Sequence, residues 1–300
     1  MNKLLQMTKE YIKQSREDQV RRLWSENSSE YIKEEEFFRF VDSFGKEEKA
    51  FIEGAVNING TGASPCPFPN LSSLAALYAS QISEKNFVKT GSGANTGVHG
   101  SSDFFRDIGL INLHSQTILD EFHFLYFDYL TLSPWKKYKA HLSQNESMKK
   151  IFEEYFFLDY TAADYFIGIN GLEWYDKFTV NMKLYNAPKN LYLYYTEKDG
   201  KLYDEIYEGT IYLNGKEYCS LERIGEPKAI TASNIVSVNK SLLEGGEEGI
   251  WKQCLGYTVA MVLCQIKTAN SLEEGLELFE KYYREKRLCR TLERILKTVP

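Results

Sequence analysis

Apolar positions in the first 55 residues recur at helical spacing. Tyr11 and Ile12 are followed by Val20, Leu23 and Trp24, and Phe37, Phe38, Phe40 and Val41 lie within the stretch IKEEEFFRFVDSF. Stripes of this kind predict short helices that each bury one side against a partner, in a helical subdomain or a subunit interface. The pattern then shortens. Residues 55–58 and 87–88 are brief apolar runs that end in glycine-rich turns, and they read as strands. Between them LAALYAS predicts a helix, entered through Asn70-Leu71-Ser72-Ser73, where Asn70 or Ser72 suits the N-cap. Gly100-Ser101-Ser102-Asp103 caps a further helix at FFRDIGL. From 113 to 156, HSQTILDEFHFLYFDYL, KKYKAHL and ESMKKIFEEYFF read as helices, the first broken from the rest at Ser133-Pro134. Ile118, Phe122, Leu125, Tyr126 and Tyr129 then share one helical face.

Beyond about residue 165 the texture changes. YFIGI (165–169) and LYLYY (191–195) read as strands, and 172–185 fits a helix between them, which makes a βαβ unit with a parallel strand pair. TIYLNGKEY (210–218) predicts a hairpin on an Asn-Gly turn. GGEEGIWKQCLGYTVAMVLCQIK opens on a glycine loop and becomes an apolar helix carrying Leu255, Val259, Val262 and Leu263. Ser271 followed by Glu274 is a capping signal for one last helix, running to about Lys297. The chain is thus expected to be α/β.

Composition narrows the function classes. With 300 residues, 43% of them hydrophobic, the chain can bury a sizeable core as one large or two modest domains. A net charge of −6 argues against nucleic-acid binding driven by overall charge. The cations Lys281, Arg284, Lys286, Arg287, Arg290, Arg294 and Lys297 read as a solvated helix face, with a local basic patch as the other reading. Five cysteines, widely spaced and without a CxxC pair, form neither a disulfide framework nor a zinc site, and a reducing compartment fits them. The first residues show no secretory h-region, and no run approaches the ~20 apolar residues of a membrane span. A cytoplasmic protein is expected.

The candidate chemistry lies between Gly60 and Gly109. Gly60, Thr61 and Gly62 free the backbone to turn and let a ligand approach main-chain N–H groups closely. Lys89 leads into TGSGANTG, whose Gly91, Ser92 and Thr96 offer donors without bulk. A lysine at a strand end, a small-residue loop and a helix start suit a phosphate or pyrophosphate, although ordinary loops and caps share this look. Neither a Walker A motif nor a Rossmann fingerprint is present. His99 reads either as a substrate donor or base, or as a loop histidine. His114, His123 and His141 lack metal-ligand pairing. Asp204-Glu205, on a loop after the 191–195 strand, reads as an Mg²⁺ ligand pair or as solvated surface.

These stretches resemble the anthranilate phosphoribosyltransferase family and its relatives, the class II nucleoside phosphorylases. The family's GTGGD-type turn and NxS(T/S) helix start are matched by Gly60-Thr61-Gly62-Ala63-Ser64 and Asn70-Leu71-Ser72-Ser73. Its KHGNR, serine pair and GSAD are matched at the same spacing by Lys89-Thr90-Gly91-Ser92-Gly93, Thr96 and Gly100-Ser101-Ser102-Asp103, ending at Gly109. Ile167-Gly168-Ile169 resembles its LVGV strand, Asp204-Glu205 its metal-binding pair, and the helix from Ser271 its last helix, so the resemblance spans most of residues 55–297.

The resemblance implies a small helical subdomain (1–54 and 105–160) and a larger α/β subdomain (55–104 and 161–300) with a central, mostly parallel sheet, in a homodimer. It implies a phosphoribosyltransferase that uses 5-phosphoribosyl-1-pyrophosphate (PRPP) with Mg²⁺ and releases pyrophosphate. Ser72 would touch Mg²⁺ and pyrophosphate. Gly60, Thr61, Gly62, Asn70, Ser73, Lys89, Gly91, Ser92 and Thr96 would hold phosphate and ribose, and Asp204 and Glu205 a second Mg²⁺. The sequence departs from the family pattern at Ser64, Thr90, Ser92 and Gly93, and EEYFFLDYTAADY stands where the family has R-T-x-F-N-x-L-G-P. The missing groups serve the acceptor in the family, so a small aromatic or heterocyclic acceptor other than anthranilate is expected. A phosphorylase-like enzyme and a non-catalytic ligand-binding relative are the alternatives.

Overall fold

The computed structural model describes residues 2–44, 52–62, 64–94, 98–111, 115–155, 163–169, 175–176, 190–222 and 229–298. The chain divides into two compact units, Met1–Phe51 with Asp128–Thr161, and Ile52–Phe127 with Ala162–Pro300.

The first unit is helical. Its helices are Lys3–Lys13, Glu17–Glu26, Glu34–Asp42, Tyr129–Leu132, Lys139–Leu142 and Glu146–Tyr155, with a 3₁₀ turn at Pro134–Tyr138. The apolar stripes meet in a core of Leu5, Val20, Trp24, Phe37, Phe40, Trp135 and Phe152. Phe37, Trp135 and Phe152 pack as an aromatic trio with ring centroids 5.4–5.6 Å apart. A polar contact at the centre is satisfied: Trp24 Nε1 donates to Thr8 Oγ1 over 2.8 Å.

The second unit is built on an eight-stranded sheet: β1 (Ala55–Gly60), β2 (Phe87–Gly91), β3 (Phe124–Asp128), β4 (Ala163–Gly168), β5 (Leu191–Lys198), β6 (Lys201–Tyr203), β7 (Gly209–Leu213) and β8 (Lys216–Leu221). The order is β3-β2-β1-β4-β5-β7-β8, with β6 also paired to β5. β2 and β4 run parallel to β1, and β5 parallel to β4, while β6, β7 and β8 form an antiparallel margin. The central strands are buried almost throughout, as parallel strands covered on both faces must be. Helices Leu71–Ser83, Ser101–Asp107, Gln116–Phe122, Ile235–Leu243, Ile250–Gln265, Leu272–Arg284 and Arg287–Thr298 complete this unit. The Asn-Gly hairpin turn is present, with φ of 51° at Asn214 and 72° at Gly215, both positive as a type I′ turn requires.

Three expectations need correction. FHFLYFDYL is not helical throughout: helix Gln116–Phe122 ends where His123 turns left-handed (φ 53°), and Phe124–Asp128 is strand β3. The helical spacing of Leu125 and Tyr126 is coincidental, because both are buried on a strand lying beside β2. For the same reason residues 105–127 belong with the sheet, and the expected boundary at 105 moves to 128. The last helix is two, Leu272–Arg284 and Arg287–Thr298, separated where Lys286 adopts φ 51°. The helix expected over 172–185 lies outside the described residues apart from 175–176. β1 and β2 also run further than expected, to Gly60 and Gly91, so Lys89 sits inside β2.

Candidate active site

Three parallel strands end in glycine, β1 at Gly60, β2 at Gly91 and β4 at Gly168. The carboxyl edge of a parallel sheet is where such folds place ligands, and small residues leave room there for loops to converge. Gly60 and Gly168 are register partners. A Cβ on Gly168 would collide with the Asp204 carbonyl oxygen, so only glycine lets the acidic loop come this close.

That loop carries Asp204 and Glu205. Asp204 is fully buried. Its Oδ2 accepts from Thr61 Oγ1 at 2.6 Å and from the Gly62 amide at 2.7 Å. Ser64 Oγ lies within hydrogen-bonding reach of both Asp204 Oδ1 and Glu205 Oε2, and accepts from the Asp204 amide at 3.0 Å. The loop is anchored from behind. Thr196 Oγ1 donates to the Glu205 carbonyl at 2.9 Å, and Phe68 packs its edge against Tyr207 and Trp251 at 5.2 and 5.4 Å. Burial, reinforced by the charge of Asp204, holds the Glu205 carboxyl well above the usual carboxylate range, and the Ser64 hydroxyl opposes this in part.

Lys89 forms the second part of the site. It is 1% exposed. Its ammonium donates to the Ile58 carbonyl and to Ser72 Oγ, the latter at 3.3 Å, placing a buried cation between the end of β1 and the first turn of helix Leu71–Ser83. Asn57 Nδ2 lies 3.2 Å from Thr90 Oγ1, and the Asn59 amide oxygen accepts from the same hydroxyl at 3.2 Å, so the β1–β2 seam is polar where it approaches the site. Ser73 Oγ donates to Ser101 Oγ at 3.2 Å, and a Cβ on Gly91 would come within 2.7 Å of the Ser101 Cβ. The Ser92 carbonyl accepts from the Ser102 amide at 2.9 Å. Thr96 lies outside the described residues.

Asn70 occupies the N-cap position of helix Leu71–Ser83, but its side chain makes no capping bond. It donates instead to the His99 carbonyl at 3.2 Å and accepts from Asn239 Nδ2 at 2.7 Å. The His99 ring lies between Asn70 Oδ1 (2.9 Å) and Asp107 Oδ2 (3.0 Å), latching the glycine loop to two helices. The sequence-predicted residues therefore gather in three groups: the glycine turn with the acidic pair, Lys89 with Ser72, and Ser73 and Ser92 with the start of helix Ser101–Asp107. Asn57, Asn59 and Asn239 were missed. An asparagine inside an apolar run or mid-helix carries no local mark of such a role.

The donor set suits a hard cation. Two carboxylates and a serine hydroxyl, all oxygen donors, converge on one place. Among the described residues no three or more of His, Cys, Asp and Glu cluster as a metal cage. Among the described residues no helix is long and apolar enough to cross a membrane.

No protein-family sequence model matches the chain, and no curated protein sequence matches it. Solved structures do. Anthranilate phosphoribosyltransferase from Thermus thermophilus superposes with a TM-score of 0.63 at 18% identity, over 93% of this chain and 94% of that one. The Saccharomyces cerevisiae enzyme in complex with PRPP and Mg gives 0.60 at 17% identity, over 82% of this chain and 74% of that one. The same yeast enzyme with 4-fluoroanthranilate gives 0.58 at 16%, over 82% and 73%. At such identities the likeness speaks for architecture. This chain is built on the anthranilate phosphoribosyltransferase fold.

Proposed function

We propose that the protein is an Mg²⁺-dependent phosphoribosyltransferase that moves the 5-phosphoribosyl group of PRPP to a small aromatic or heterocyclic acceptor other than anthranilate, releasing pyrophosphate. The observation that carries this reading is Lys89, a cation buried beside Ser72 at the first turn of a helix. A buried ammonium at that place recognises a multiply charged anion far better than an exposed one, because water does not screen it. Yeast anthranilate phosphoribosyltransferase, which shares the fold, has been seen with PRPP and Mg.

In this reading Ser72 touches the pyrophosphate, and Gly60, Thr61, Gly62, Asn70, Ser73, Lys89, Gly91, Ser92 and Thr96 hold the phosphates, pyrophosphate included, and the ribose. Ser72 would hold one Mg²⁺ and Asp204 with Glu205 a second, and the metal would supply charge neutralisation for the departing oxygens. C1 of PRPP ionises toward an oxocarbenium ion as pyrophosphate leaves. The chain's donors stabilise the charge that develops on the leaving oxygens, and the acceptor held at C1 then attacks. No side chain needs to act as a nucleophile. Thr90, Ser92 and Gly93 offer fewer and smaller polar groups than the family motif, which argues for a different acceptor. The reading carries a homodimer with it, to be measured by sedimentation.

Calorimetric titration with PRPP tests the reading. The expected result is Mg²⁺-dependent binding that falls at least about tenfold in Lys89→Ala, since truncating one partner of a buried charged contact costs roughly 2–5 kcal/mol. No PRPP binding in the presence of Mg²⁺ would overturn it. Phosphate-dependent base release from a nucleoside panel would redirect it to phosphorolysis.

A further inference from the structure

Asp204 sits where an anion would sit. Its carboxylate is fully buried and accepts from Thr61 Oγ1 and the Gly62 amide of one turn, and Ser64 Oγ, whose one proton is shared with Glu205 Oε2, lies within reach. Main-chain and hydroxyl donors of this kind recognise carboxylate and phosphate oxygens by the same charge-assisted bonds. The approach is arranged by glycine at Gly168, which admits the main chain of Asp204, whereas a Cβ on Gly60 would make only an ordinary contact, 3.6 Å from Asp204 Oδ2. The donors assigned above to phosphate and ribose are thus committed to a side chain of the same protein.

We propose that Asp204 is an exchangeable internal ligand of the 61–64 turn. In the metal-free protein its carboxylate holds the turn's donors and repels an incoming anion. A divalent cation gives the carboxylate an alternative partner, and the donors pass to pyrophosphate. This rests on the reading of Asp204 as a metal ligand under the proposed function. It adds a source for the mutual tightening of cation and pyrophosphate beyond their direct attraction: release of the turn's donors, which acts on both ligands by one and the same factor. It also sets an expected order. Removing a structural brace leaves metal-free anion binding unchanged or worse, and removing a bare negative charge improves it equally in the alanine and asparagine variants, whereas removing an internal competitor improves it more in D204A than in D204N.

The experiment is calorimetry of the full chain with inorganic pyrophosphate, with EDTA and with Mg²⁺, for wild type, Asp204→Ala and Asp204→Asn, each beside its thermal unfolding curve. In EDTA, D204A is expected to bind pyrophosphate about tenfold tighter than wild type. Mg²⁺ should tighten the wild type and leave D204A unchanged. D204N keeps one acceptor facing the turn and should fall between. Equal or weaker metal-free binding in folded variants overturns the exchange and makes Asp204 a brace. Should the variants not fold, the wild type answers alone: Mg²⁺ without pyrophosphate should shift the Gly62 amide resonance, and an unmoved resonance overturns the proposal. PRPP with Mg²⁺ on the wild type is the separate arm. PRPP binding without a gain in D204A removes the exchange and leaves the transferase reading. A gain in D204A without PRPP binding does the reverse.

Discussion

Asp103 ties the glycine loop to the helix that follows it. Its Oδ2 accepts from the Gly100 amide at 2.9 Å and the Ala94 amide at 3.2 Å, and its Oδ1 from Arg106 at 3.1 Å. Partial burial pushes its carboxyl up, but the two amide bonds and Arg106 outweigh this and hold it below the ordinary range. The folded carboxyl therefore binds its proton more weakly than the unfolded one. The stability it contributes is present above the unfolded value, about 3.9, and is lost as pH falls from there through the folded value. Asp103→Asn should lower the urea midpoint at pH 7, and its gap from wild type should narrow as pH falls below about 4. At this scale the sequence is informative where a local rule acts. Turn glycines, a capping serine and a lysine leading into a glycine loop mark themselves, and Lys89 and Ser72 do lie in contact. Ser64 shows the limit. It reads as a departure from a family aspartate, and its contact with both carboxylates comes from a loop 140 residues away.

Two elements of the second unit meet through glycine. Helix Ile250–Gln265 is apolar nearly all round and is covered by helix Leu272–Arg284. At their crossing a Cβ on Gly275 would lie 2.9 Å from the Ala260 Cα, and one on Gly256 would lie 3.0 Å from the Phe279 ring. The backbones approach as closely as they do because no side chain intervenes. Gly275→Val should cost about 1–3 kcal/mol or more through overpacking, read as a fall in the urea midpoint with an unchanged slope. Element identity is legible where length or a cap decides it, as in helix Leu272–Arg284, whose Ser271 hydroxyl accepts from the Glu274 amide. It is not legible at β3. An apolar run of that length fits a buried strand and a buried helix equally, and only the neighbouring β2 decides. The break at Lys286 escapes for another reason: no glycine marks its left-handed turn. The cations around it are partly paired, Arg284 with Glu280 and Arg287 with Glu285, as on a solvated helix face.

At the scale of the molecule, the parallel sheet joins distant parts of the chain. β1 pairs with β4 from Ala55↔Ala163 to Gly60↔Gly168, and the chain between them builds two further strands and the second half of the helical unit. The α/β class and the parallel pair of β4 and β5 were readable from short apolar runs set among helical segments. The strand order and the boundary at 128 were not, because both depend on where β3 inserts. The helical unit is likewise discontinuous, assembled from Met1–Phe51 and Asp128–Thr161. That arrangement has a consequence for biosynthesis. The first three helices leave the ribosome well before Trp135 and Phe152, the aromatic partners of Phe37, have been translated. Chain elongation at ~5–20 residues per second leaves Phe37 without them for several seconds. Nascent chains stalled after residue 127 should be cut readily by protease within the helices Lys3–Lys13, Glu17–Glu26 and Glu34–Asp42, and chains released at full length should resist. A stalled chain already resistant there would mean that the amino-terminal helices condense on their own.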